Sequence, residues 1–278
     1  MLKLFHQSRR VALCAAIVLC VFINAGGDSA PSAQTANAGW AQVPAILGRI
    51  KAPAFPNRDF KITDYGAVAA GKTGNNGALR KAVAACNAAG GGRVVVTPGV
   101  FLTGAVHLKS NVNLNVMEGA TLKFIPDPAK YLPVVFTRFE GTECMNYSPL
   151  IYAFEQENIA VTGKGTLDGS ASNENWWAWK RSGNTAVLRL LEFNDKGTPV
   201  SERVFGEGYK LRTNFIQPYR SRNVLIEGVT INNSPMWEIH PVLCTNVTVR
   251  GVTVVSHGPN NDGCNPESCK DVLIEDCV

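Results

Sequence analysis

From Arg93 onward the chain alternates short β-branched apolar runs with turn residues: RVVV, NVNLNVM, NIAVTG, NVLIEGVTI, NVTVRGVTVV and DVLIEDC. Each run is too short for a helix and carries the period-2 pattern of a strand. In the fifth, Val247 and Val249 are expected to point inward while Thr248 and Arg250 point outward. Five runs begin alike, with Asn or Asp before a β-branched residue: Asn111-Val112, Asn158-Ile159, Asn223-Val224, Asn246-Val247 and Asp271-Val272. The last two intervals are 23 and 25 residues. A period in the twenties with two or three short strands per repeat predicts a solenoid, and the strand spacing excludes the L-x-x-L-x-L pattern of a leucine-rich repeat. A parallel β-helix fits. Asn and Asp suit the entry to each strand because they tolerate left-handed φ and bond their own backbone. One coil cannot bury its apolar side alone, so the coils must stack. The earlier intervals, 47 and 65 residues, predict an intervening coil and inserted loops, the largest insert running from Ser170 to Leu211.

Ahead of the runs, Trp40 to Phe60 is punctuated by Pro44, Pro53 and Pro56 and is expected to be extended; Lys61 to Tyr65 is expected to form a first strand. Asn76 to Ala88 reads as a short helix with Leu79, Val83 and Cys86 on one face. Gly90-Gly91-Gly92 ends it as a C-terminal cap. The glycines follow a helix and precede a strand, the reverse of a phosphate loop. This helix is expected to close the bare edge of the first coil. No second convincing long helix is expected beyond Arg93.

Charge changes this picture little. The formal net charge is +5, but Lys3, Arg9 and Arg10 lie in the first ten residues, so the body is a poor candidate for nucleic acid. The basic head and the apolar run Val11 to Ile23 have the layout of a secretory signal over residues 1–25, with a leader over 26–60 and the solenoid over 61–278. Ser8-Arg9-Arg10-Val11 loosely resembles a twin-arginine signal. The run is short for a membrane span of about 20 residues, so no stable membrane association is expected after cleavage, and the protein is expected to be secreted or periplasmic. Export makes disulfides possible. Cys86, Cys144, Cys244, Cys264, Cys269 and Cys277 lie outside the signal, and sequence cannot choose among their pairings. No CxxC knuckle or HxxxH pair supports zinc, and no metal or cofactor is expected.

Candidate chemistry concentrates in GPNNDGCNPESC, Gly258 to Cys269. Its residues alone leave two readings for Asp262: a plain Asx-turn, or a carboxylate on the wall of a site. His240 in WEIHPVLC and His257 are either groove residues or wall histidines. Trp176, Trp177 and Trp179 either stack on sugars or pack the insert onto the solenoid, with packing favoured.

A resemblance bears on these choices. ITDYGAV with GKT, GGGRVVVTPGVFLTGAVHLKSNVNL, GTLDG with NWW, the run from Asn214 to Val254, and GPNNDGCNPESC are similar to the polygalacturonase family of glycoside hydrolases (family 28), especially its bacterial and plant-like exo-type members. The resemblance implies a right-handed parallel β-helix that hydrolyses α-1,4-linked galacturonan in pectin with inversion. It implies Asp262 as the first catalytic aspartate, within Asn260-Asn261-Asp262; Asn260 beside it, and His240 and His257 where they face the groove, are the candidate substrate contacts. Inversion takes a carboxylic acid for the leaving oxygen and a carboxylate for the water, roughly 6.5–9.5 Å apart. The family continues with two adjacent aspartates, then G-H-G and R-I-K motifs; none occurs in this sequence, which ends at Val278. The chain is therefore expected to be the front of a longer enzyme, with a solenoid incomplete at its C-terminus and inactive alone. A pectate or pectin lyase, which would want calcium-binding acids and an arginine base, and a non-catalytic carbohydrate-binding β-helix are the alternatives.

Overall fold

The computed structural model describes residues 39–182 and 185–278, without the side chains of 70, 71 and 73. The expected signal lies outside the described residues. Val43–Val278 packs as one unit, and residues 39–42 form a helical turn of the unit before it.

Seven strands stack in chain order into one parallel sheet: Asp59–Lys61, Gly92–Val96, Val112–Val116, Glu157–Gly163, Arg222–Glu227, Thr245–Arg250 and Lys270–Glu275. A second parallel face holds Ala70–Gly74, Gly99–Thr103, Ala120–Phe124, Thr166–Asp168, Thr230–Asn232 and Thr253–Val255. The third holds Val106–His107, Ile151–Phe154 and Ile216–Tyr219. Parallel bridges extend it from Ile216 to Ile239 to Cys264 and from Tyr219 to Val242 to Glu267. The fold is a parallel β-helix. Inward residues of successive coils stack in register, as in Ile159, Val224, Val247 and Val272.

The turn ladder sets that register. Asn111, Asn158, Asn223, Asn246 and Asp271 all adopt left-handed φ, between 52° and 64°. Their side chains join across coils: Asn158 Nδ2 donates to Asn111 Oδ1 (2.9 Å), Asn223 to Asn158 (2.8 Å) and Asn246 to Asn223 (2.8 Å). These bonds correct the expectation of an intervening coil. Asn111 and Asn158, 47 residues apart, stand on adjacent rungs, as do Asn158 and Asn223. The extra length leaves the solenoid as inserts and never forms a rung.

Four local expectations also change. Lys61–Tyr65 is not a strand: the strand is Asp59–Lys61, followed by a 3-10 turn, Ile62–Tyr65. Trp40–Phe60 is not extended throughout, because Val43–Arg49 is helical with Pro44 in its first turn. This segment packs along the ladder: Lys51 exchanges two 2.8 Å bonds with Asn246, and Arg49 Nε reaches Asp271 Oδ1 at 3.1 Å. A second helix of useful length, Thr185–Asp195, lies in the insert, burying Ala186 and Leu190 one turn apart. Thr248 is buried although it points outward, in register with Leu225 and Leu273 in an outer row.

The helix Asn76–Ala88 forms as expected and buries Leu79, Ala82, Val83 and Cys86 against the first coil. Gly91 N–H returns to Cys86 O at 2.9 Å, and a Cβ on Gly91 would lie 2.6 Å from Asn111 O, so the cap admits only glycine.

Two inserts rise beside the third face. One is the antiparallel hairpin Val135–Phe139 and Thr142–Asn146, with Val204–Phe205 paired alongside. The other carries the tryptophans and the helix Thr185–Asp195. Together Phe139, Cys144, Ala186, Leu190, Phe205 and Leu211 make a second core that closes on Met236 of the solenoid.

Candidate active site

The Gly258–Cys269 turn is built by its two asparagines. Asn261 uses its whole amide: Oδ1 accepts from Gly258 N–H (2.5 Å) and Ser256 Oγ (2.8 Å), and Nδ2 donates to Ser234 O (3.0 Å) and Met236 O (2.8 Å). It closes its own turn and fastens that turn to the coil before. Asn260 takes left-handed φ of 57°, and its Oδ1 accepts from Arg212 Nη2 at 2.6 Å. Arg212 is buried and also donates to Pro235 O (3.0 Å) and Pro259 O (2.5 Å). Burial pulls its pKa down to about 10, with Glu140 opposing. Trp177 completes the seat. Its indole N–H bonds Ser234 O at 2.8 Å, and its ring occupies the space a Cβ on Gly258 would need, 2.3 Å away.

On this fixed turn Asp262 is exposed, with Asn265 Nδ2 at 3.3 Å from its Oδ2. Its backbone carbonyl accepts from Glu238 N–H of the previous coil at 3.2 Å. Glu238 is fully buried, and no hydrogen-bond partner reaches either carboxyl oxygen. The neighbouring Ser256 hydroxyl would ease the charged form, but it donates to Asn261 instead. Burial, with Asp262 adding to it, pushes the Glu238 carboxyl up to about 8, so the acid is neutral at pH 7.

Further along the third face a closed ring of bonds ties the hairpin to three successive coils. The Thr137 hydroxyl donates to Gln217 Oε1. Gln217 Nε2, its Oε1 engaged by Thr137, donates to His240 Nδ1 at 2.9 Å, which leaves the ring proton on Nε2 for Glu267 Oε2 at 3.1 Å; Asn214 Nδ2 lies at the same 2.9 Å and shares the single Nδ1 lone pair. Glu267 Oε1 accepts from Arg138 Nη1 at 2.6 Å, and Arg138 is the hairpin residue next to Thr137. The His240 bond and the Arg138 guanidinium hold Glu267 below the usual carboxylate range, against its burial. Glu143 joins the ring through Tyr219 OH (2.7 Å) and Arg138 Nη2 (3.2 Å). These contacts, with Arg220, outweigh its burial and keep it ionised.

The same architecture recurs among solved structures. An exopolygalacturonase from Thermotoga maritima matches over 84% of this chain with TM-score 0.82 and 52% identity. The chain belongs to the polygalacturonase family. It is also 30% identical over 247 residues to an exo-poly-alpha-D-galacturonosidase of Dickeya chrysanthemi and 29% identical over 227 residues to a probable polygalacturonase of Vitis vinifera, each over 78% of this chain. No family model matches the chain. The chain spans 39–41% of those two curated relatives and 55% of the Thermotoga chain.

Against that membership, the expected site residues separate. Asp262 and Asn260 share one turn, Asp262 facing solvent and Asn260 anchored from beneath by Arg212. His257 is exposed and makes no hydrogen bond among the described residues. The expectation that His240 contacts substrate is corrected: its ring is fully buried, edge-on to Trp237, with both nitrogens occupied. It orients Glu267. The tryptophans pack as favoured: Trp176 is buried edge-on to Tyr131 and Trp179, and Trp177 braces the turn. Sequence reasoning did not find Arg212, Glu238 or the Arg138–Glu267 pair. Only Glu238 left a signal, as a lone acid inside the apolar stretch SPMWEIHPVL. Among the described residues no group of three His, Cys, Asp or Glu is placed to hold a metal ion.

Proposed function

We propose that the protein carrying these coils is an exo-type polygalacturonase, which hydrolyses the α-1,4-galacturonosyl bonds of pectin or its oligosaccharides with inversion. One observation carries the reading: an exposed Asp262 on a turn pinned by Asn261, Arg212 and Trp177, in a chain half identical to an exopolygalacturonase. A carboxylate so placed is free to take a proton from water, and its rigid seat removes the cost of orienting it. Inversion needs a second carboxyl as acid, about 6.5–9.5 Å away. Glu238, whose N–H bonds the Asp262 carbonyl from the previous coil, is kept from a leaving oxygen by its burial, and Glu267 is already held by His240 and Arg138.

The test is hydrolysis by the active protein. Expected products are new reducing ends without unsaturation, released as single galacturonates and inverted at the anomeric carbon by NMR. Asp262→Asn is expected to lower kcat by about 10²–10⁴, the usual weight of general acid–base catalysis, with unchanged thermal stability. Unsaturated products, or an Asp262→Asn variant at the wild-type rate, would defeat the proposal. Sugar binding without turnover by the active protein would favour the carbohydrate-binding alternative.

Export is part of the same proposal. The basic head and the apolar run Val11 to Ile23 support removal of a signal and a secreted or periplasmic destination. N-terminal sequencing of protein recovered outside the cytoplasm tests it; an intact Met1 there would refute cleavage.

A further inference from the structure

Four of the six described cysteines, Cys244, Cys264, Cys269 and Cys277, lie in the last two coils, and none is disulfide-bonded. Two of them are rung neighbours. Thr245 pairs in register with Lys270, and Lys270 N–H bonds Cys244 O at 2.9 Å, so Cys244 and Cys269 face each other directly across consecutive coils. Cys244 N–H points at Cys269 Sγ at 3.4 Å. Parallel rungs stand about 4.8 Å apart. A disulfide accepts Cα separations of roughly 4.4–6.8 Å, so the pair can close with small side-chain rotations.

The surroundings of the two thiols are unequal. Cys244 is buried and donates to the carbonyls of Pro218 and Val242. Cys269 is half-buried; its sulfur receives the Cys244 N–H, and its own thiol lies against the carbonyls of Pro241 and Glu267. The neighbouring Cys244 thiol and N–H favour the thiolate on Cys269, against its burial and the Glu267 charge, while the Cys269 thiol and burial disfavour it on Cys244. A reactive, reachable thiol beside a shielded partner is the arrangement of an attacking and a resolving cysteine.

We propose that Cys244 and Cys269 are a redox dithiol that small-molecule disulfides, such as oxidised glutathione, convert into a covalent link between the last two described coils. The Cys269 thiolate attacks one sulfur of the oxidant, forming a mixed disulfide and expelling one glutathione thiolate. The Cys244 thiol then loses its proton and attacks Cys269 Sγ, expelling the second glutathione. Two protein thiols are oxidised, one oxidant disulfide is reduced, and two molecules of reduced glutathione leave with the two protons. The link falls two residues beyond Glu267, so it locks the coil bearing Asp262 and Glu267 onto the coil bearing Glu238 and His240. The oxidised protein would resist fraying there while Asp262 stays untouched.

The reaction is read on the whole chain. Reduced protein is exposed to oxidised glutathione in native buffer, then unfolded in N-ethylmaleimide so that every remaining thiol is alkylated, and mapped by mass spectrometry. The expected product has lost two hydrogens in mass before alkylation, contains the Cys244–Cys269 peptide pair, and has all its other cysteines alkylated. Cys244→Ser is expected to trap glutathione on Cys269, while Cys269→Ser leaves Cys244 unmodified. Full alkylation of both cysteines in the wild type, or a pair joining either one to Cys264 or Cys277, overturns the proposal. The wild-type map decides the matter even if a serine variant fails to fold.

Discussion

Replacing Glu238 by glutamine should make the protein more stable, and increasingly so as pH rises. The folded state holds the Glu238 carboxyl near 8 against an ordinary 4.5, because both oxygens are buried without partners. The folded protein therefore binds a proton that the unfolded chain releases above about pH 4.5. Stability is full below that pH, falls through the interval, and levels off above about pH 8. At 1.36 kcal/mol per pH unit, the gap corresponds to about 5 kcal/mol, of which about 3 kcal/mol is already lost at pH 7. Glutamine has the shape of the neutral acid and cannot ionise. Its extra N–H adds a roughly constant penalty, so the slope of the difference is the informative quantity. Urea unfolding of both proteins at pH 4, 6, 8 and 9 measures it. The variant should gain about 1 kcal/mol per pH unit relative to wild type between pH 5 and 8, with Asp262 and Ser256 unchanged in both. A difference that stays flat with pH would refute the reasoning and place water or another partner on Glu238.

Gly258→Ala drives a Cβ into the Trp177 ring; a loss of about 1–3 kcal/mol is expected, and Trp177→Leu in the same chain should recover part of it, read by thermal unfolding. Asn223→Ala removes the ladder bonds to Asn158 and Asn246 and strains a φ of 55°, so a loss of about 2–4 kcal/mol is expected, while Asn223→Gly should cost less because only the bonds are lost. Equal losses for alanine and glycine would show that the left-handed φ contributes nothing.

The solenoid was legible because its instructions are local and repeated. An Asn or Asp that takes left-handed φ, followed by a β-branched residue, marks five of the rungs whatever lies between. The same locality explains the wrong coil count: interval length records what the loops contain, and Asn111 can stack on Asn158 across any insert. The helix Thr185–Asp195 was missed because its apolar face closes on the hairpin and Met236, partners distant in sequence. At the site, Asp262 could be found because turn residues and a family motif enclose it. Arg212 could not, since its carbonyl partners and Asn260 lie 23 to 48 residues away and nothing in LRTN announces a buried guanidinium. His240 illustrates the opposite error. A histidine near a motif suggested contact with sugar, yet two amides and a carboxylate already satisfy it.

The asparagine ladder has a consequence for how such a protein can change. Because four successive rungs are clamped one to the next by a single side chain, a segment spliced between them does not shift the strands downstream. Inserts can lengthen, shorten or be exchanged on one flank while the stacked wall beneath keeps its spacing. The flank here already carries a hairpin and a helix-bearing loop that both lean on the Asp262 side of the molecule. Change in those inserts is therefore open everywhere except at the few side chains, Trp177 and Arg138 among them, through which they brace the Asp262 turn and hold Glu267.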